Sequence, residues 1–196
     1  VVGDIGPFGD FLEPLGEMTA EHLRGIFQAQ AAALVEGGAD AFLVETMVDP
    51  AELEVAVCAA KSCGPLPVLA TYAFKKTGES EFRTIMGTGV EEAMERALAC
   101  GADVVGANCG TDLDFADYLE LARQLVRAAG EAPVILQPNA GSPQFAGESA
   151  VYNATPEDMA AVVEPLLAAG VRIIGGCCGT TPAHLAAMSR RMPSLA

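Results

Sequence analysis

Three stretches share one layout: EGGADAFLVET at residues 36–46, ACGADVVGANC at 99–109 and AAGVRIIGGCC at 168–178. Each opens on a helix end marked by glycine (Gly37-Gly38, Gly101, Gly170), runs through a short apolar segment and closes on polar, glycine or cysteine residues. A second pair, GPLPVLATY at 64–72 and EAPVILQPN at 131–139, alternates with the first set. Two βα units of about 30 residues each fit the distance between one copy and the next.

Read outward from these repeats, six strands are predicted: Val1–Ile5, Ala41–Val44, Pro67–Thr71, Val104–Ala107, Val134–Leu136 and Val171–Ile174. They show little polar alternation, as strands buried on both faces do in parallel sheets. Helix starts lie between them. Asp49-Pro50 with Glu52, Thr155-Pro156 with Asp158, and Thr181-Pro182 put a capping side chain before a proline at the first helical position. Thr19 with Glu21, and Thr88 with Glu91, are further N-cap candidates.

Alternating strands and helices predict an α/β fold with a parallel sheet and helices outside. No G-x-G-x-x-G follows a strand, which weakens a dinucleotide-binding open sheet. Polar and reactive residues gather after strand C-termini instead: Asp4, Glu45-Thr46, Tyr72, Asn108-Cys109, Gln137–Asn139 and Cys177-Cys178. Many strands feeding one face is the arrangement of a (β/α)8 TIM barrel. A closed barrel has eight strands and six are visible, so residues 1–196 are expected to form a single barrel domain, N-terminally incomplete and lacking its first two βα units.

The net charge of −15 repels phosphate backbones, so nucleic acid is not an expected partner. No apolar run of about 18 residues predicts a membrane span, and no signal-peptide pattern opens the sequence. The six cysteines fall in helix-like and strand-like segments rather than in a short disulfide scaffold, which points to a reducing cytoplasm.

Cys58, Cys63 and Cys100 lie within or at the ends of helices and read as small buried hydrophobes. Cys109, Cys177 and Cys178 fall at strand ends on one predicted face. A vicinal disulfide between Cys177 and Cys178 would be strained and suits an oxidising compartment. Core packing cannot direct two successive side chains to one core. The glycine-rich stretch could instead cradle a phosphate, which leaves the cysteines unexplained. A three-cysteine metal site accounts for more. Zinc takes thiolates and keeps a fourth position open in catalytic sites. Gly175, Gly176 and Gly179, and Gly110 beside Cys109, would give the backbone the freedom to turn. Such a centre suits a soft fourth ligand, a substrate thiol, whose pKa it would lower for alkyl transfer.

GANCG (106–110), QPNAG (137–141) and GGCCGTTPAHLAAM (175–188), with GDIGPFG (3–9) and VETM (44–47), resemble the homocysteine S-methyltransferase family over nearly the whole chain. Within that family the likeness is to the homocysteine-binding domain of cobalamin-dependent enzymes. The resemblance implies a (β/α)8 barrel with Zn2+ held by Cys109, Cys177 and Cys178, and methyl transfer to the thiol of homocysteine. It implies Glu45 as the partner of the substrate ammonium, with Asn108, Asn139 and Asp4 lining the site. It also implies a methyl donor such as methylcobalamin carried on a separate corrinoid protein or domain, because no D-x-H-x-x-G motif occurs here. The bland readings are a structural acid for Glu45, turn residues for Asn108 and Asn139, and a loop cap for Asp4. Tyr72 and Phe74 either wall the pocket or pack beneath the next loop, and His22 and His184 read as surface residues. Two rivals stand beside the enzyme. One is a non-catalytic truncated barrel that binds metal or thiol and interacts with a corrinoid protein. The other is a phosphate-binding barrel enzyme such as an aldolase, disfavoured because Lys75 and Lys76 sit beyond their strand end.

Overall fold

A computed structural model describes residues 1–146 and 149–193. In chain order the elements are β1 (Val2–Ile5), α1 (Ala20–Glu36), β2 (Ala41–Met47), α2 (Pro50–Ser62), β3 (Val68–Tyr72), β4 (Lys75–Lys76), β5 (Phe82–Arg83), α3 (Val90–Ala99) and β6 (Val104–Asn108). They continue with α4 (Phe115–Ala129), β7 (Val134–Gln137), β8 (Gln144–Ala146), β9 (Ser149–Val151), α5 (Pro156–Ala161), α6 (Val163–Ala169), β10 (Ile173–Ile174) and α7 (Pro182–Ser189).

Six strands form one parallel sheet in the order β1-β2-β3-β6-β7-β10. Leaving aside two small hairpins, this is strict chain order. An open doubly wound sheet reverses direction at a switch point, and no reversal occurs here. The sheet curls as a partial TIM barrel. Its convex side packs against the helices through residues such as Ala70, Tyr72, Val105 and Leu136. Its concave side carries Leu69, Val104 and Ile135, with Ala41 and Leu43 beside them. Burial is complete along the central strands β3 and β6 and alternates along β1, where Val2 and Asp4 are exposed.

The helix signals translate into caps. The Asp49 carboxylate accepts the Ala51 N–H at 2.8 Å with Pro50 in the first turn. Thr155 and Asp158 form a reciprocal capping box. The Thr19 hydroxyl accepts the His22 N–H at 3.2 Å. Thr88 does not cap α3; Gly89 takes that place without a side-chain bond. Glu52 is no cap either: it is buried and accepts the Phe8 N–H at 2.7 Å, tying the loop after β1 to α2.

Three further expectations are corrected. His184 is buried, not at the surface, because its two ring nitrogens bridge Thr181 at 2.7 Å and the Ala154 carbonyl at 2.9 Å. Cys58 is exposed on α2, where the outer helix face meets solvent. The antiparallel pairs β4-β5 and β8-β9 were not expected. Tyr72 and Phe74 are both buried and pack in the helix-side core. Among the described residues no helix is long and apolar enough to cross a membrane.

Candidate metal centre

The repeats place their last two residues in matching positions. Glu45-Thr46 follows β2's core segment, Asn108-Cys109 ends β6, and Cys177-Cys178 follows β10. The match extends to the backbone. Thr46 has φ 58° and Cys109 has φ 54°, both in the left-handed region that residues with a Cβ seldom enter. At Thr46 the turn shifts the β2-β3 register between Val44 and Met47, a bulge that re-aims the side chains there.

The Cys109, Cys177 and Cys178 sulfurs all lie within 4.8 Å of one another. Cys109 Sγ is 3.8 Å from Cys178 Sγ. Two thiolates on one tetrahedral zinc, each at about 2.3 Å, stand about 3.8 Å apart, so this donor set fits the ion the sequence implied. All six cysteines are free thiols. The expected glycine freedom is distributed differently from the prediction. The sharp turn falls on Cys109 and Gly110, whose φ is 110° and where an added Cβ would come within 2.9 Å of the Phe74 carbonyl. Gly179, with φ 77°, closes the other turn; a Cβ there would lie 2.3 Å from that of Tyr152. Gly175 and Gly176 do not take positive φ and serve close packing against Gln137 and Thr180.

Asn108 is the junction beneath the cluster, only 1% exposed. Its Oδ1 accepts from the Thr46 N–H at 2.8 Å and the Thr71 hydroxyl at 2.7 Å. Its Nδ2 donates to Glu45 Oε2 at 2.9 Å and Thr46 Oγ1 at 2.6 Å, with Cys177 Sγ at 3.7 Å. Asn139, also buried, donates to the Gly110 carbonyl at 3.1 Å and accepts from the Cys178 N–H at 3.1 Å. Both amides are therefore committed to protein partners.

Burial, then the charges of Asp4 and Cys109, raise the Glu45 carboxyl above its ordinary range. Asp4 is raised by burial as well. In the metal-free cluster the Cys109 thiol is drawn down to about 6, first by the Cys177 thiol, against the cost of burial. Cys177 moves the opposite way, because its proton is held by Cys109. Glu45 thus stands near both Asp4 and Cys109, a grouping of acidic groups that favours a cation.

Asp4 enters through this electrostatic proximity; its backbone carbonyl accepts from Gln30 at 3.2 Å. His22 is exposed on α1 and takes no part. Sequence reasoning missed Tyr118, whose hydroxyl donates to the Cys109 carbonyl at 2.6 Å. It also missed Thr71 and Thr180; Thr180 Oγ1 is buried without a partner, as is Oε1 of Gln137, which the sequence had already placed at its strand end. A tyrosine on the inner face of a helix reads as core, and nothing in its spacing sets it apart.

Comparison with known proteins gives a consistent result. The family model described as homocysteine S-methyltransferase matches residues 1–192. The methionine synthase of Mycobacterium tuberculosis (strain ATCC 25618 / H37Rv) is 34% identical over 191 residues, covering 94% of this chain and 15% of that protein. That of Mycobacterium leprae (strain TN) is 32% identical over the same coverage. The chain therefore spans 15% of the length of these curated relatives. Among solved structures, the metallated form of the homocysteine methyltransferase MmuM from Escherichia coli superposes with a TM-score of 0.73. It is 22% identical, with 97% of this chain and 60% of that one covered, which is a likeness of fold.

Proposed function

The chain belongs to the homocysteine S-methyltransferase family, and from that premise we propose that it methylates the thiol of homocysteine to give methionine, with Zn2+ held by Cys109, Cys177 and Cys178. The observation that carries this reading is the convergence of three thiols from two strand ends within 4.8 Å. Zinc, when bound there, lowers the pKa of a thiol entering its open position, so that the sulfur reaches a methyl donor as a thiolate.

The chain's own residues supply recognition. Glu45 binds the substrate ammonium through Oε1, since Oε2 is fixed by Asn108. Asp4 adds negative charge on the same side and so favours the ammonium over a neutral analogue. Asn108 and Asn139 act from beneath: Asn108 aims Glu45, and Asn139 holds the Cys178 backbone. The substrate thiol proton leaves to solvent at the open mouth of the sheet. The proposed donor is methylcobalamin on another protein or domain, for which the greater length of the methionine synthase relatives leaves room.

The test is metal content of the purified chain, followed by homocysteine added to a cobalt-substituted sample. Near-stoichiometric metal and a new thiolate-to-cobalt absorption band are expected. A folded, metal-free chain would overturn the zinc reading. Metal and thiol binding without turnover, when methylcobalamin is supplied, would favour a binding module over an enzyme.

A further inference from the structure

Tyr118 projects from α4 into the gap between the ends of β6 and β7, with its ring buried. Its hydroxyl has two partners there. It donates to the Cys109 carbonyl at 2.6 Å and accepts the Asn139 N–H at 3.3 Å. Asn139 then reaches on with its side chain, to the Gly110 carbonyl and to the Cys178 N–H, each at 3.1 Å. The path Cys109–Tyr118–Asn139–Cys178 joins three strand ends through hydrogen bonds, none of which touches a sulfur.

Cys109 needs such a restraint. Its φ of 54° is a conformation that a residue with a Cβ keeps only when its surroundings hold it. Its N–H is fixed to the Gln137 carbonyl at 3.2 Å, and Tyr118 fixes its carbonyl on the other side. Tyr72 shows that a buried phenol need not do this. It is equally buried, yet its hydroxyl has no partner, so packing there calls only for the ring.

We infer that Tyr118 is a positioning residue for the three-thiol cluster, its hydroxyl locking the Cys109 backbone to Asn139 and thereby fixing where Cys109 stands relative to Cys178. Its consequence for metal affinity rests on the proposed metal site; the positioning itself is a property of the metal-free chain. Groups that orient metal ligands from outside typically govern 10–100-fold in affinity.

The test compares Tyr118→Phe with Tyr72→Phe in the full chain. Each removes one buried hydroxyl and keeps the ring. Cobalt(II) titration against a competing chelator is expected to show about 10–100-fold weaker binding for Tyr118→Phe and wild-type affinity for Tyr72→Phe. In the metal-free proteins, amide hydrogen exchange at Cys109 and Cys178 is read as well. Neither N–H bonds Tyr118, so a local loss alone leaves both rates unchanged. About tenfold faster exchange at both is expected in Tyr118→Phe. Wild-type cobalt affinity in Tyr118→Phe overturns the inference. Should the wild type itself take no cobalt, the metal reading fails separately. The exchange rates then decide alone: faster exchange upholds the positioning role and unchanged exchange overturns it.

Discussion

Cys100 and Cys109 stand at opposite ends of one strand, and their thiols behave as different chemical groups. Cys100 ends α3, just before β6, where its Sγ donates to the Ala97 carbonyl at 3.2 Å. Burial, reinforced by neighbouring Cys58 and Glu54, pushes its thiol up to about 11. Cys109 follows β6, on the face where the other strands also end, and is drawn down to about 6 by the company of Cys177 and Cys178. In a barrel the N-terminal face of the strands maintains the fold and the C-terminal face carries chemistry. Here that division runs through five residues of backbone. A cysteine count is therefore a poor guide to function, whereas a cysteine's place relative to its strand is a good one.

The comparison breaks first at the metal. Cys109→Ala removes one of the three proposed ligands and is expected to lose far more than the 10–100-fold in cobalt affinity that an outer-shell change costs. Cys100→Ala should bind cobalt as the wild type does. Equal affinities in a side-by-side titration would place the metal elsewhere. Alkylation of the metal-free protein sharpens the same contrast. The Cys109 thiol is drawn down and the Cys100 thiol pushed up, so at pH 7 the thiolate, the reactive form, is expected far more at Cys109 than at Cys100. Mass spectrometry after brief iodoacetamide treatment should find far more label at Cys109 than at Cys100. The Cys109 rate should level off above neutral pH while that of Cys100 keeps rising. Comparable labelling of the two at pH 7 would show that the cluster does not set the charge of Cys109.

The strand ends were legible in the sequence because the fold repeats. A glycine stop, an apolar run and a polar finish recur three times, and each copy delivers its last two residues to the same face. The hairpins were not legible. Lys75–Lys76 and Phe82–Arg83 are two-residue strands, too short to show any periodicity. Nor could spacing tell that Glu52 is buried as an acceptor for the Phe8 N–H, or that His184 bridges two loops, because both depend on chain segments distant in sequence. The three thiols were recognisable as a set from their residue types, and the scaffold beneath them was not. Asn108, between Gly106 and Gly110, reads as a turn residue until Thr46, Thr71 and Glu45 are seen around it.

Asn108 and Asp103 extend the comparison to stability, since each reaches across from one end of β6 to a neighbouring strand. Asn108→Ala would leave the Thr71 hydroxyl buried and the Thr46 N–H half-buried without an acceptor, a loss worth about 1–3 kcal/mol for a fully buried group and less for a half-buried one. A loss of about 2–4 kcal/mol in urea unfolding is expected after partial relaxation. Asp103 also accepts two bonds, from the Val68 N–H at 2.7 Å and Lys61 at 2.5 Å. Its side chain is 48% exposed, so water can replace what the carboxylate supplies. Asp103→Ala should therefore cost no more than about 1 kcal/mol. Its pH dependence identifies the cause. Burial opposes the charge on Asp103, but Lys61 and the Val68 N–H outweigh it and hold the folded carboxyl below the usual aspartate value. A group depressed in this way stabilises the fold above its unfolded pKa and loses that contribution as pH falls through the folded value. The gap between wild type and Asp103→Ala should accordingly close on acidification, whereas the Asn108→Ala gap should narrow only by the part that its bond to the Glu45 carboxylate supplies and otherwise stay open, because the Thr46 N–H and the Thr71 hydroxyl do not titrate. A gap at Asp103 that persists in acid would assign its role to backbone geometry rather than charge.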